Sequence, residues 1–255
     1  MQNNNSTSIK TESTDEGIIK ITFSNPPANS MPIVLLSELA YTIEKIGQSS
    51  EVKIIILQSG GDRTFCSGAD FNELLAIKDE AGGDSFFSGF AKVINACRNS
   101  PKIIIGRVQG KAVGGGVGIA AAADYCFATQ QASIKLSELS IGIGPFVIAP
   151  AVERKIGFSA FSAMCLNPTE FYSAEWANQK GLFSEVFSTT QEMDERITVF
   201  SNQLATYNPE ALFEMKQIFW KNTEHWDSLL SERAKISGRL ILSEFTKTAL
   251  NTFRS

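Results

Sequence analysis

The chain has 255 residues, 43% hydrophobic and 20% charged, with a formal net charge of −4. These values describe a globular protein, either one large α/β domain or a domain with a helical appendage. The acidic balance offers no electrostatic footprint for nucleic acid, and no apolar run reaches the length of a membrane span, so neither is an expected partner.

Residues 1–14 are polar and lack the basic start and apolar run of a secretory leader; the expectation is a disordered tail on a cytoplasmic protein. Pro32, suited to a first helical turn, precedes Ile33, Leu36, Leu39, Ala40, Ile43 and Ile46, which fall on one helical face. Val52 to Leu57 reads as a buried strand and is followed by a glycine-bearing turn, Phe65-Cys66-Ser67-Gly68-Ala69-Asp70. The polar stretch Lys78 to Ser85, interrupted by Gly82-Gly83, reads as a mobile lid or as an ordinary surface connection. Phe86, Phe87 and Phe90 follow it and either close a pocket or fill core. Ile103 to Val108 is a second buried strand, leading to Val113-Gly114-Gly115-Gly116-Val117-Gly118, a helix-like run to Ala123, and a lone acid in Leu136-Ser137-Glu138. From about Ser188 the pattern is helical to the end. Pro209 starts one helix there, and Phe213, Ile218, Leu229, Ile236, Leu240 and Leu250 are buried or interface positions. Strand-like runs alternating with helical ones predict α/β topology.

Both glycine turns can aim backbone N–H groups into one pocket. Two such donors make an oxyanion hole, which stabilises charge developing on a carbonyl oxygen and suits acyl transfer or thioester enolate chemistry. The same glycines also serve tight turns and close helix packing. Cys66, Cys97, Cys126 and Cys165 lack metal-type spacing and read as reduced core residues. Cys66 would need a base to act as a nucleophile, and the single histidine, His225, lies far off in sequence where a helix opens. No P-loop lysine or dinucleotide fingerprint accompanies the glycines, and no metal is expected.

The two turns do not stand alone. Together with Gly17 to Phe23, Asn25-Pro26-Pro27-Ala28-Asn29-Ser30-Met31, Ser173-Ala174-Glu175-Trp176-Ala177, Lys180-Gly181-Leu182-Phe183 and Asn208-Pro209-Glu210-Ala211-Leu212, they resemble the crotonases, the enoyl-CoA hydratase/isomerase superfamily, over nearly the whole chain. The resemblance implies an α/β fold, a crotonase-type spiral of repeated ββα units over 15–190. A C-terminal helical region over 191–255 would supply a lid and trimer contacts in a homotrimer or hexamer. It implies an acyl-CoA thioester as substrate and no cofactor beyond the CoA moiety. The implied oxyanion donors are the backbone N–H groups of Ser67 and Gly115. Ala28, Ser67, Ala69 and Asp70 are implied along the CoA strip, with Lys216 and Lys247 as candidates near its phosphates.

One departure from the family pattern bears on the reaction. Family hydratases carry a glutamate three residues after the second oxyanion glycine and another twenty residues further on; here these positions hold Gly118 and Glu138. Hydration delivers hydroxide to one carbon and a proton to the other, a task normally shared by two groups, whereas a double-bond shift needs one carboxylate to remove a proton and return it. Asp70, Glu73, Asp84 and Glu153 are the candidates to replace the missing acid. The run Ser137 to Phe146, a glutamate followed by Gly-Ile and Pro-Phe, resembles the mitochondrial Δ3,Δ2-enoyl-CoA isomerases. The expectation is an isomerase with Glu138 as its catalytic acid and base. A hydratase or related lyase or decarboxylase, and an inactive acyl-CoA-binding protein, are the alternatives.

Overall fold

The computed structural model describes residues 6–14 and 17–254. A hairpin-like pair opens the fold: β1 (Ser8–Ser13) runs antiparallel to β2 (Ile18–Ser24), and α1 (Ile33–Gly47) follows. The disordered tail expected over 1–14 is thus corrected for Ser8–Ser13, whose ladder to β2 satisfies its backbone despite a polar composition; residues 1–5 lie outside the described residues.

Three units then repeat one plan, a long strand, a three-residue strand and a helical turn. They are β3 (Ile54–Ser59), β4 (Thr64–Cys66) and α2 (Phe71–Ala76), the last extended by α3 (Glu80–Asn99); β5 (Ile103–Val108), β6 (Lys111–Val113) and α4 (Gly115–Ala121); and β7 (Tyr125–Thr129), β8 (Ser133–Lys135) and a 3₁₀ turn at Glu138–Ile141. After α5 (Ala149–Ile156), α6 (Phe158–Leu166), β9 (Tyr172–Ser173), α7 (Ala174–Gln179) and β10 (Glu185–Phe187), the chain is helical: α8 (Thr190–Ala205), α9 (Pro209–Phe219), α10 (Trp226–Leu240) and α11 (Glu244–Arg254).

The long strands form a six-stranded sheet in the order β1-β2-β3-β5-β7-β10, parallel from β2 onward. Its central strands are continuous isoleucine runs because both faces are covered. Ile55, Leu57 and Ile104 face the main core, while Ile54, Ile56, Ile103 and Ile105 meet Phe127 and, from α8, Met193 and Ile197. The short strands form a second sheet in the order β4-β6-β8-β9. The strand expected over Val52 to Leu57 lies two residues later, and that over Ile103 to Val108 lies where expected.

The stretch Lys78 to Ser85 is corrected: it contains the start of α3. Asp79 caps that helix by accepting the Gly82 N–H at 2.7 Å, and a Cβ on Gly83 would lie 2.6 Å from the Gly238 Cα of α10. The paired glycines let two helices touch through their backbones, so they mark a crossing point where sequence alone suggests a lid. Phe86, Phe87 and Phe90 are buried on α3.

Lys216 is also corrected as a ligand for CoA phosphates. It is fully buried on α9, where its ammonium donates to Asp124 at 2.9 Å and to the Lys102 carbonyl at 2.7 Å. Asp124 further accepts the Trp220 indole N–H and the Ile104 backbone N–H, so one carboxylate ties α9 to the sheet. Lys247 is exposed on α11 and pairs with Glu244. Of the C-terminal apolar positions, Leu250 is buried and Leu229 and Leu240 pack against core, while Phe213, Ile218 and Ile236 remain exposed. His225 is exposed at the start of α10.

Candidate active site

The site stands where β4, β6 and β8 end, three neighbouring strand ends of the second sheet. Gly68, after β4, has φ +89°, and a Cβ there would lie 2.8 Å from the Val113 carbonyl and 3.5 Å from the Gly115 nitrogen. The two glycine turns therefore face each other with no room for a side chain between them. Gly114, after β6, has φ +53°, and a Cβ on it would sit 2.9 Å from Glu138 Oε1. Glu138, after β8, is held against that turn by a backbone bond from the Gly114 N–H to the Lys135 carbonyl at 2.8 Å.

Gly115 opens α4, and its N–H meets no protein acceptor among the described residues. Ser67 differs: its N–H donates to the Ala28 carbonyl at 3.1 Å. The bridge between Met31 and Ala69 draws the 28–31 segment alongside the first turn, which supplies that acceptor. A donor engaged at this distance can be shared with a second oxygen in a three-centre bond.

Ser67, Gly115 and Glu138 line one cavity of about 470 Å³, together with Ala69. Its walls are mainly apolar, with Phe87 and Phe90 from α3 and Phe146, Val147 and Ile148 from the segment before α5. Ala28 and Asp70 lie outside the lining. The Asp70 carboxylate caps α2, accepting from the N–H groups of Asn72 and Glu73, and also accepts the Ser30 hydroxyl at 2.8 Å.

Glu138 is the one acidic residue lining this cavity among the described residues. Its Oε2 is buried with no hydrogen-bond partner, and burial pushes the carboxyl up to about 7. The candidate replacement acids are placed elsewhere. Asp70 caps α2, Glu73 accepts the Ile33 N–H at the start of α1, Asp84 accepts the Ser88 hydroxyl on α3, and Glu153 sits on α5 outside the lining. Gly118 is helical, and a Cβ on it would run into the Ile148 side chain. Ile148 thus fills the space into which an acid at position 118 would grow.

The cysteine thiols are not poised as nucleophiles. All four cysteines are free thiols; Cys66, Cys97 and Cys126 are buried, and burial pushes the Cys66 thiol up to about 12, the wrong direction for a nucleophile. No cluster of metal-ligating side chains occurs among the described residues. Sequence reasoning passed over Lys135, Ser137, Ser140, Thr169 and Ser237, all of which line the cavity. Lys135 and Ser137 were within reach of it, standing beside Glu138 at the end of β8. Ile148 and Ser237 carry no local signal, since the fold brings them in from distant segments.

The family model described as enoyl-CoA hydratase/isomerase matches residues 13–248. A Bacillus subtilis protein named "Probable enoyl-CoA hydratase" is 27% identical over 241 residues, covering 94% of this chain and 93% of its own. The peroxisomal Delta(3,5)-Delta(2,4)-dienoyl-CoA isomerase of Arabidopsis thaliana is 24% identical over 229 residues, covering 84% of this chain and 81% of its own. The crystal structure of an enoyl-CoA hydratase from Bacillus halodurans superposes with a TM-score of 0.89 at 22% identity, covering 96% of this chain and 99% of its own, a likeness of fold. Among the described residues no helix is long and apolar enough to cross a membrane. With a matching family model over almost its full length and the spiral fold of its relatives, the chain belongs to the enoyl-CoA hydratase/isomerase family.

Proposed function

We propose that the protein shifts the double bond of an enoyl-CoA from the 3- to the 2-position, using Glu138 as the only acid and base. The observation that carries this reading is the single carboxylate, among the described residues, in a mainly apolar cavity, with one buried oxygen free of partners. The thioester oxygen takes the Gly115 N–H and competes with Ala28 for that of Ser67, so charge on the enolate meets donors already in place. Glu138 removes a proton from C2 and returns it to C4. A carboxyl near 7 suits both halves, since it is ionised in a useful fraction at neutral pH and still a competent acid. Ile148 and Gly118 leave no second acid to activate water, which argues against hydration. Ala28, Ser67, Ala69 and Asp70 border the CoA strip, and no cofactor beyond the substrate's own CoA is needed.

Exposed Phe213, Ile218 and Ile236 support assembly into a homotrimer or hexamer, and four free thiols support a reducing compartment such as the cytoplasm. Incubation with a 3-enoyl-CoA should give its 2-enoyl isomer at unchanged mass. A 2-enoyl-CoA that gains one water in the same assay would make the protein a hydratase, and a thioester bound but unchanged in both would make it a silent binder.

A further inference from the structure

Because Oε2 of Glu138 has no hydrogen-bond partner, the carboxylate is placed by the backbone that carries it. That backbone is the 3₁₀ turn Glu138–Ile141, closed where the Ile143 N–H donates to the Glu138 carbonyl and the Gly142 N–H to the Leu139 carbonyl, both at 3.1 Å. None of its four residues is wholly buried and Leu139 is exposed, so the turn relies on its neighbours for bracing. Two helices supply it. α6 flanks the turn, and α11, the last helix, packs against it. At the end of the turn Gly142 has φ +82°, and a Cβ there would lie 2.6 Å from Thr246 Oγ1 and 2.5 Å from the Phe245 ring.

Thr246 is itself pinned. It is fully buried, and its hydroxyl donates to the Leu240 carbonyl at 3.1 Å, at the end of α10. The same oxygen accepts the Ser243 hydroxyl at 3.0 Å, and the Thr246 N–H donates to Ser243 Oγ at 3.2 Å. Phe245 differs in being 68% exposed. Such bracing suits a carboxylate that must remain a strong base. A donor on Oε2 would hold it still but would also stabilise the anion and weaken it as a base. The ionisable neighbours do not supply such a donor either. On α11 Glu244 and Lys247 are exposed and paired with each other, α6 brings the Cys165 thiol, whose proton the Glu138 charge helps to retain, and the Lys135 ammonium of β8 lies over the Phe171 ring.

We infer that Thr246 is a positioning residue for Glu138: with Phe245 it fills the space over Gly142 and locks the turn that presents the carboxylate to the acyl chain. This inference rests on the reading of Glu138 as acid and base, and it adds the C-terminal helix to what that base requires.

Thr246→Ala removes the oxygen that abuts Gly142, whereas Thr246→Ser keeps it. With a 3-enoyl-CoA, Thr246→Ala should lower kcat about tenfold to a hundredfold at nearly unchanged KM, the cost of a misplaced group, and Thr246→Ser should recover most of it. The second readout is the titration of Glu138 by NMR on protein with glutamate isotopically labelled at its carboxyl, the signal being the one that Glu138→Gln lacks. Its midpoint of about 7 should fall toward the ordinary carboxyl value in Thr246→Ala, as water reaches the loosened turn, and should hold in Thr246→Ser. Phe245→Ala, at an exposed position, should move both readouts the same way by less, and it decides the matter if Thr246→Ala does not fold. Wild-type kcat in the alanine variants overturns the inference. So does a loss of activity with the midpoint unmoved, which would make Thr246 a stabilising contact only. The titration needs no substrate, so a wild type that shifts no double bond would remove the isomerase reading while the midpoints still decide on Thr246.

Discussion

At the scale of single residues, Glu138 combines a proton-binding site with an environment that resists its charge. Replacing it by glutamine keeps the shape and removes the base, so turnover should fall by about 10²–10⁴ or more, with acyl-CoA affinity nearly kept. In the wild type kcat/KM should rise tenfold per pH unit below about 7 and level off above, following the ionisation of Glu138. The same shift has a stability consequence. The folded state holds this proton up to about 7 while the unfolded chain releases it at the ordinary carboxyl value, so Glu138 costs stability as pH rises through that window. The melting temperature of Glu138→Gln relative to wild type should therefore climb between pH 4.5 and 7 and then stay level; a difference independent of pH would contradict the burial of this carboxyl. Gly118→Glu tests the missing acid. Its side chain would collide with Ile148, and overpacking alone typically costs ~1–3 kcal/mol, so the single variant should melt well below wild type. Gly118→Glu combined with Ile148→Ala should recover part of that loss, and in a product assay by mass should raise hydration of a 2-enoyl-CoA relative to isomerisation.

At the scale of elements, α3 and α10 cross where Gly83 meets Gly238. Gly83→Leu should force the helices apart and lower stability by ~1–3 kcal/mol or more, read as a fall in the urea midpoint. Backbone amides of Gly83, Asp84 and Ser85 should exchange more slowly in the wild type than loop amides do, as expected of a helix and not of a lid. The sequence-level expectation missed this because glycine and polar residues that satisfy a helix crossing are the same ones that mark loops. The long elements were legible for the opposite reason: α1 repeats its apolar residues at helical spacing, and Ile103 to Val108 is a continuous β-branched run. Three-residue strands such as β4, β6 and β8 are too short to show a period of two, so the second sheet could be anticipated from family resemblance alone. Within the site, Gly115 and Glu138 were readable from the motifs. The Ala28 carbonyl on Ser67 and the Ile148 side chain beside Gly118 were not, since each comes from another part of the chain.

At the scale of the whole molecule, the C-terminal helices are anchored through Asp124, which is 2% exposed at its side chain and bonded to Lys216 and Trp220. Lys216→Met would leave that carboxylate buried without its cation, a loss of ~3–5 kcal/mol, measurable by equilibrium unfolding. The folded fraction of the variant should keep the wild-type KM for acyl-CoA, because Lys216 faces the sheet and not a phosphate. A raised KM at unchanged stability would contradict this assignment. In the proposed reaction, the placement of the two glycine turns and Glu138 at three successive strand ends has a consequence for selectivity. Strands in one sheet stand about 4.8 Å apart, so the sheet acts as a ruler laid from the thioester oxygen to the carboxylate. Such a ruler counts carbons from the sulfur end, which makes the position of the double bond an absolute coordinate, fixed before the rest of the chain is read.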